Sequence, residues 1–236
     1  MRHDGGVSGT RVLVAGGTGA LGGAVVAELL AAGRAVTATY RSEAERDRTH
    51  AALAGAEGLE LVPADLMDPD SADAVVAGVE GLGAVVNLVG GFSAGPRVHE
   101  AEPAEFDRML ALNLRPGFLL ARAAMPRLVE AGGGAWVGVS ARSALRPFPG
   151  AAAYVTAKAG VLAFTQALDV EYGSRGVRCN AILPSVIDTP ANRRGQPDAD
   201  HSRWVPPEQI AKVVRFLVSD DSAPTSGAAI PVYGRA

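Results

Sequence analysis

Six times along this chain a short apolar, β-branched run gives way to a helix-patterned segment, and that alternation restricts the fold more than any other feature. The runs fall at 11–15, 35–40, 59–63, 83–89, 135–139 and 177–183, with a last one at 228–232. Helical patterning fills 20–32, about 43–54, about 70–80, about 103–130, 151–173 and 207–218. Several runs are apolar along their whole length, as strands covered on both faces are, and strand–helix–strand units build parallel pairs. The sequence therefore predicts an α/β fold: a single doubly wound domain with a mostly parallel seven-stranded sheet and helices on both faces. Right-handed crossovers favour the strand order 3-2-1-4-5-6 with a seventh strand added.

A length of 236 residues suits one such domain with a full core. Residues 1–10 are expected to form a flexible leader without the apolar run of a signal peptide, and residues 11–236 the domain. No stretch reaches the roughly 20 apolar residues of a membrane span, so no membrane partner and a cytoplasmic location are expected. The net charge of −3 argues against a nucleic-acid partner, which needs clustered positive charge. Cys179 stands alone in an apolar stretch, where a small buried thiol is expected. His3, His50, His99 and His201 are scattered without ligand spacing, and no metal site is expected.

After the first run comes Gly16-Gly17-Thr18-Gly19-Ala20-Leu21-Gly22, a G-x-x-G-x-x-G pattern between a strand and a helix. Bare backbone there turns tightly and approaches a phosphate, whose charge the helix start attracts. A dinucleotide is the expected ligand. The second strand ends in Tyr40-Arg41-Ser42 with no acid before Glu43. An acid at this place accepts a ribose 2′-hydroxyl, whereas an Arg accommodates a 2′-phosphate, so NADP(H) is preferred and NAD(H) stays open.

Tyr154 and Lys158 lie one helical turn apart on one face. A neighbouring ammonium stabilises a phenolate and makes the phenol a usable general acid. The chain holds only two lysines among its 22 basic residues, Lys158 and Lys212, and a compact ammonium suits this task better than a guanidinium fork.

With the glycine loop and this pair in one α/β domain, the sequence resembles the short-chain dehydrogenase/reductase family across residues 11–233. Further matching pieces are Asp65-Leu66, Asn87-Leu88-Val89-Gly90, Asn113, Ser140 and Pro184 through Thr189. The resemblance implies a Rossmann-type fold and an NAD(P)-dependent oxidoreductase in which Asp65 meets the adenine region, Asn87 and Gly90 shape the cofactor wall, and Lys158 also binds the nicotinamide ribose. It implies that Asn113 holds a relay water, that Ile187 and Thr189 face the nicotinamide, and that a serine steadies the substrate oxygen. The family's usual serine position is Ala141, so Ser140 is the expected stand-in and Ser143 the alternative.

The second half looks most like dihydropteridine reductases, through Gly90-Gly91-Phe92, Ala141 to Leu145, Asp188-Thr189-Pro190 with Asn192-Arg193, and Trp204. Residues 185–206, punctuated by Pro190 and Pro197, are expected to be a substrate lid, or else a plain surface excursion. Arg142, Arg146, Arg193 and Arg194 could attract an anionic substrate, and Trp204 either closes over a flat substrate or packs on the core. The apolar helix at 151–172 and the resemblance together imply a homodimer or homotetramer. The expected activity is reduction of a ketone or other carbonyl, including 3-oxoacyl types, by NADPH with Tyr154 as proton donor, assisted by Lys158, Ser140 and Asn113. The alternatives are a pterin-type reductase and a non-catalytic NADP-binding sensor.

Overall fold

The computed structural model describes residues 9–235, so most of the expected leader at 1–10 lies outside the described residues. The strands are β1 (Arg11–Ala15), β2 (Ala35–Tyr40), β3 (Leu59–Pro63), β4 (Leu82–Asn87), β5 (Gly134–Val139), β6 (Val177–Pro184) and β7 (Ala229–Val232). Between them run α1 (Ala20–Ala31), α2 (Glu43–Ala52), α3 (Pro69–Gly78), α4 (Pro103–Glu130), α5 (Ala152–Tyr172), α6 (Pro190–Gly195) and α7 (Pro207–Leu217). One sheet holds all seven strands in the order β3-β2-β1-β4-β5-β6-β7, and every neighbouring pair is parallel.

The alternation of side chains along β1 explains why its run is apolar throughout. Val12 and Val14 join Val25, Val26 and Leu29 of α1 and Ile210, Val214 and Leu217 of α7 in one core. Leu13 and Ala15 face the other way, into a second core with Val75 and Val76 of α3 and Leu120, Met125 and Leu128 of α4. Local chemistry sets the helix starts: the Asp68 carboxylate accepts from Ser71 N at 2.9 Å, with Pro69 opening α3.

Two segments depart from the sequence reading. The fourth strand stops at Asn87 rather than 89, because the Asn87 side chain accepts from Val89 N at 3.2 Å and turns the chain away. The segment after β6 is more ordered than a lid of loops. Thr189 Oγ1 accepts from Asn192 N at 3.2 Å with Pro190 next, which starts α6, and Ile187 bridges Val205 in parallel. Trp204 is buried beneath this segment with its ring 4.3 Å from that of His201, so it packs inward rather than closing over a substrate.

All the loops that leave the carboxyl ends of the strands gather at one edge of the sheet. Strand order reverses between β1 and β4, and the crevice that opens at such a point is where ligands of doubly wound sheets bind.

Candidate active site

The glycine loop 16–22 joins β1 to α1 at that crevice. A methyl group on Gly22 would run into the Gly16 carbonyl and lie 2.7 Å from the Gly17 backbone, so only glycine lets the helix start sit this close to the strand. Gly16 N donates to Thr39 Oγ1 at 2.9 Å and pins the loop to β2. No side chain caps α1 at Gly19, and its first turn carries no acid. The open N–H groups at Ala20, Leu21 and Gly22 fit a phosphate of a dinucleotide. Beside them, a cleft of about 390 Å³ is bounded by Ala20 on one side and by Asp188, Thr189, Arg193 and Glu208 on the other. Within that lining Arg193 is held by a bidentate pair with Asp188 at 2.6 and 2.7 Å.

At the end of β2, Arg41 and Ser42 are exposed, as a nucleotide site requires. An acid that the sequence reading passed over also lies there. Glu45, in the first turn of α2, turns back so that Oε2 accepts from Arg41 N at 2.9 Å and from the Thr18 hydroxyl at 3.3 Å. Those N–H and hydroxyl donors hold its carboxyl below the usual carboxylate range. The spacing Ser42-x-x-Glu45 of a capping box was the available signal. Asp65 is exposed and accepts from Met67 N at 3.0 Å, Leu66 is buried in the second core, and Pro184 closes β6.

Tyr154 and Lys158 stand on the first turns of α5, which packs along β5 and β6. The Lys158 ammonium is buried, donates to the Val139 carbonyl at 2.9 Å and lies 6.0 Å from the centre of the Tyr154 ring. Burial pushes its pKa down to about 8 and pushes the phenol of Tyr154 up to about 12. The phenol therefore stays protonated at neutral pH, and its hydroxyl has no hydrogen-bond partner among the described residues.

Asn113 is buried in α4 and locks the loop after β4. Its Oδ1 accepts from Gly91 N at 3.1 Å, and its Nδ2 donates to Gly91 O at 3.2 Å and Met109 O at 3.0 Å. A Cβ on Gly90 would stand 2.6 Å from Asn113 Oδ1 and 3.1 Å from Lys158 Nζ. Gly90, Asn113 and Lys158 thus meet behind the site.

The expectation for Ser140 needs revision. Its hydroxyl is buried and donates to the Lys158 carbonyl at 2.7 Å, so it is spent on anchoring the turn that carries the lysine. Ser143 Oγ is also buried and has no partner. Neither hydroxyl opens to the cleft. Cys179 lies in β6 with its thiol pushed up to about 12 by burial, the inert thiol expected.

An aromatic wall borders the phenol. Phe92, 58% exposed, stands edge-on to the Tyr154 ring at 5.0 Å and 6.5 Å from Phe148. Gly95 N donates to Gly150 O at 2.9 Å and ties the two loops that carry them. The Phe92 and Phe148 pairing joins loops far apart in sequence and has no local signal. Arg142 turns to the face of Tyr233 at 5.2 Å, while Arg146 and Arg194 are exposed and Lys212 is on the outer side of α7.

A family model described as "Enoyl-(Acyl carrier protein) reductase" matches residues 16–234. The 2-(R)-hydroxypropyl-CoM dehydrogenase of Xanthobacter autotrophicus is 33% identical, over 94% of this chain and 96% of that protein. A 3beta-hydroxysteroid dehydrogenase of Mediterraneibacter gnavus is 30% identical, over 94% of this chain and 86% of that protein. A short-chain type dehydrogenase/reductase from Mycobacterium ulcerans superposes with a TM-score of 0.90 at 26% identity, covering 96% of this chain and 89% of that one. The chain belongs to the short-chain dehydrogenase/reductase family. It is an NAD(P)-dependent oxidoreductase acting on hydroxyl and carbonyl carbons. Among the described residues no helix is long and apolar enough to cross a membrane, and no cluster of ligating side chains suits a metal.

Proposed function

We propose that the protein reduces a ketone or related carbonyl with NADPH, using Tyr154 as the proton donor. The observation that carries this reading is the Tyr154 phenol, one turn from a buried ammonium and without a hydrogen-bond partner among the described residues. The reduced nicotinamide, when bound, supplies hydride to the carbonyl carbon. Tyr154 gives its proton to the carbonyl oxygen, so the C=O becomes CH–OH. Lys158 then faces the phenolate with its positive charge and favours its formation.

Asn113 fixes the backbone of the loop after β4 through two hydrogen bonds to Gly91, and Ser140 holds the Lys158 turn from behind. In this reading both are positioning residues. Gly16, Gly19, Ala20, Leu21 and Gly22 receive the pyrophosphate, with Thr18 beside them. Asp65, Leu66, Asn87, Gly90, Pro184, Ile187 and Thr189 line the rest of the cofactor path. Arg41 and Ser42 favour the 2′-phosphate of NADP(H).

The names of the two relatives carry hydroxyl groups on a propyl chain and on a steroid, which supports the ketone–alcohol couple. A pterin-type substrate is the second reading, favoured by the aromatic wall of Phe92 and Phe148 against Tyr154. A homodimer or homotetramer is part of the proposal, since Phe118 of α4 and Val170 of α5 are exposed. The test is NADPH oxidation screened against ketones, quinones, 3-oxoacyl thioesters and quinonoid dihydropterin. Tyr154→Phe is expected to abolish turnover and keep cofactor affinity; retained turnover would refute the reading, and NADPH binding without turnover of any substrate would favour the sensor.

A further inference from the structure

The Glu45 carboxylate bridges two segments that the dinucleotide must touch together. It takes the Thr18 hydroxyl of the glycine loop at 3.3 Å and Arg41 N at the end of β2 at 2.9 Å. A helix cap alone would not need this. The capping contact of α2 is Glu45 N to Ser42 Oγ at 3.3 Å, and the carboxylate's bonds to Thr18 and Arg41 come in addition. Glu45 lies 23 residues beyond Gly22, close to the separation at which an acid meets a ribose 2′-hydroxyl in dinucleotide folds, although it comes from the helix instead of the strand end. The exposed Arg41 stands beside it, so opposite charges flank the place where the two cofactors differ.

We propose that Glu45 is a specificity-determining residue that accepts the ribose 2′-hydroxyl of NAD(H) and opposes Arg41, so that the chain uses both NADH and NADPH. This rests on the assignment of residues 16–22 and 41–42 to the cofactor. A 2′-phosphate gains the Arg41 guanidinium and meets the Glu45 carboxylate as a like charge. A 2′-hydroxyl instead donates to that carboxylate and draws little from the guanidinium. The two side chains pull the choice in opposite directions.

The test is equilibrium titration of NADH and NADPH, by nicotinamide fluorescence, into the wild type, Glu45→Gln, Glu45→Ala and Arg41→Ala at one ionic strength. Glutamine keeps an acceptor for Arg41 N and for the cap while removing the charge. Both Glu45 variants are expected to move the ratio of affinities toward NADPH by about tenfold, a factor that corresponds to about 1.4 kcal/mol. Arg41→Ala is expected to move it toward NADH. Loss of the helix cap weakens both cofactors alike and leaves the ratio in place, so the ratio isolates the choice. A ratio within twofold of wild type in both Glu45 variants would overturn the proposal and leave Glu45 a cap. If the wild type binds neither cofactor, the cofactor site itself is misassigned and the proposal falls with it.

Discussion

Replacing Lys158 with methionine separates the cost of the buried ammonium from its use. Burial lowers the lysine pKa to about 8 from an ordinary 10.5, which at roughly 1.4 kcal/mol per pKa unit is a cost of about 3 kcal/mol for holding the charge in the fold at neutral pH. Methionine has a similar length and no charge. The substitution forfeits the 2.9 Å bond to the Val139 carbonyl, worth about 1–2 kcal/mol. The variant is therefore expected to be more stable than the wild type at pH 7 by about 1–2 kcal/mol, and to lose turnover.

The pH dependence has a definite sign. Between pH 8 and 10.5 the unfolded chain binds the lysine proton more tightly than the native protein does, so the lysine's cost falls as pH rises through that window. From pH 7 to 9 the wild type should gain about 1 kcal/mol on the variant, which cancels much of the difference between them. Urea unfolding of both proteins at the two pH values measures this, and the comparison cancels contributions from other groups. A variant less stable than the wild type at pH 7, or a difference that does not change with pH, would refute the assignment of a costly buried charge.

Gly22→Ala should abolish dinucleotide binding in a fluorescence titration, since the added methyl collides with the Gly16 carbonyl; normal binding would show that the helix start is not so close. Ser140→Ala should cost about 1 kcal/mol of stability and less than tenfold in kcat. A hundredfold fall in kcat with full stability would return Ser140 to the substrate oxygen. Cys179 should resist a thiol reagent at pH 8 in the native protein and react at once in denaturant, because burial holds its pKa at about 12.

The architecture was readable from the chain because its signals are local. Apolar runs such as 11–15 are uniform because both faces of a parallel strand are buried, and a helix follows each crossover. The glycine loop and the Tyr154–Lys158 spacing are equally local, one a backbone requirement and the other a single helical turn. Strand order followed from handedness.

What the sequence by itself determined is the fold class, the family and the placing of Tyr154 and Lys158 one turn apart on one helix. The tertiary structure decided where the neighbouring side chains aim. It turned the hydroxyl of Ser140 onto the Lys158 carbonyl, buried Trp204 beneath its own segment and set Phe92 against Tyr154. It also swung Glu45 back to Thr18, placing an acid where the linear order showed only Arg41 and Ser42. These outcomes depend on the meeting of segments distant in sequence, and side-chain hydrogen bonds of about 3 Å are fixed only once both backbones are in place.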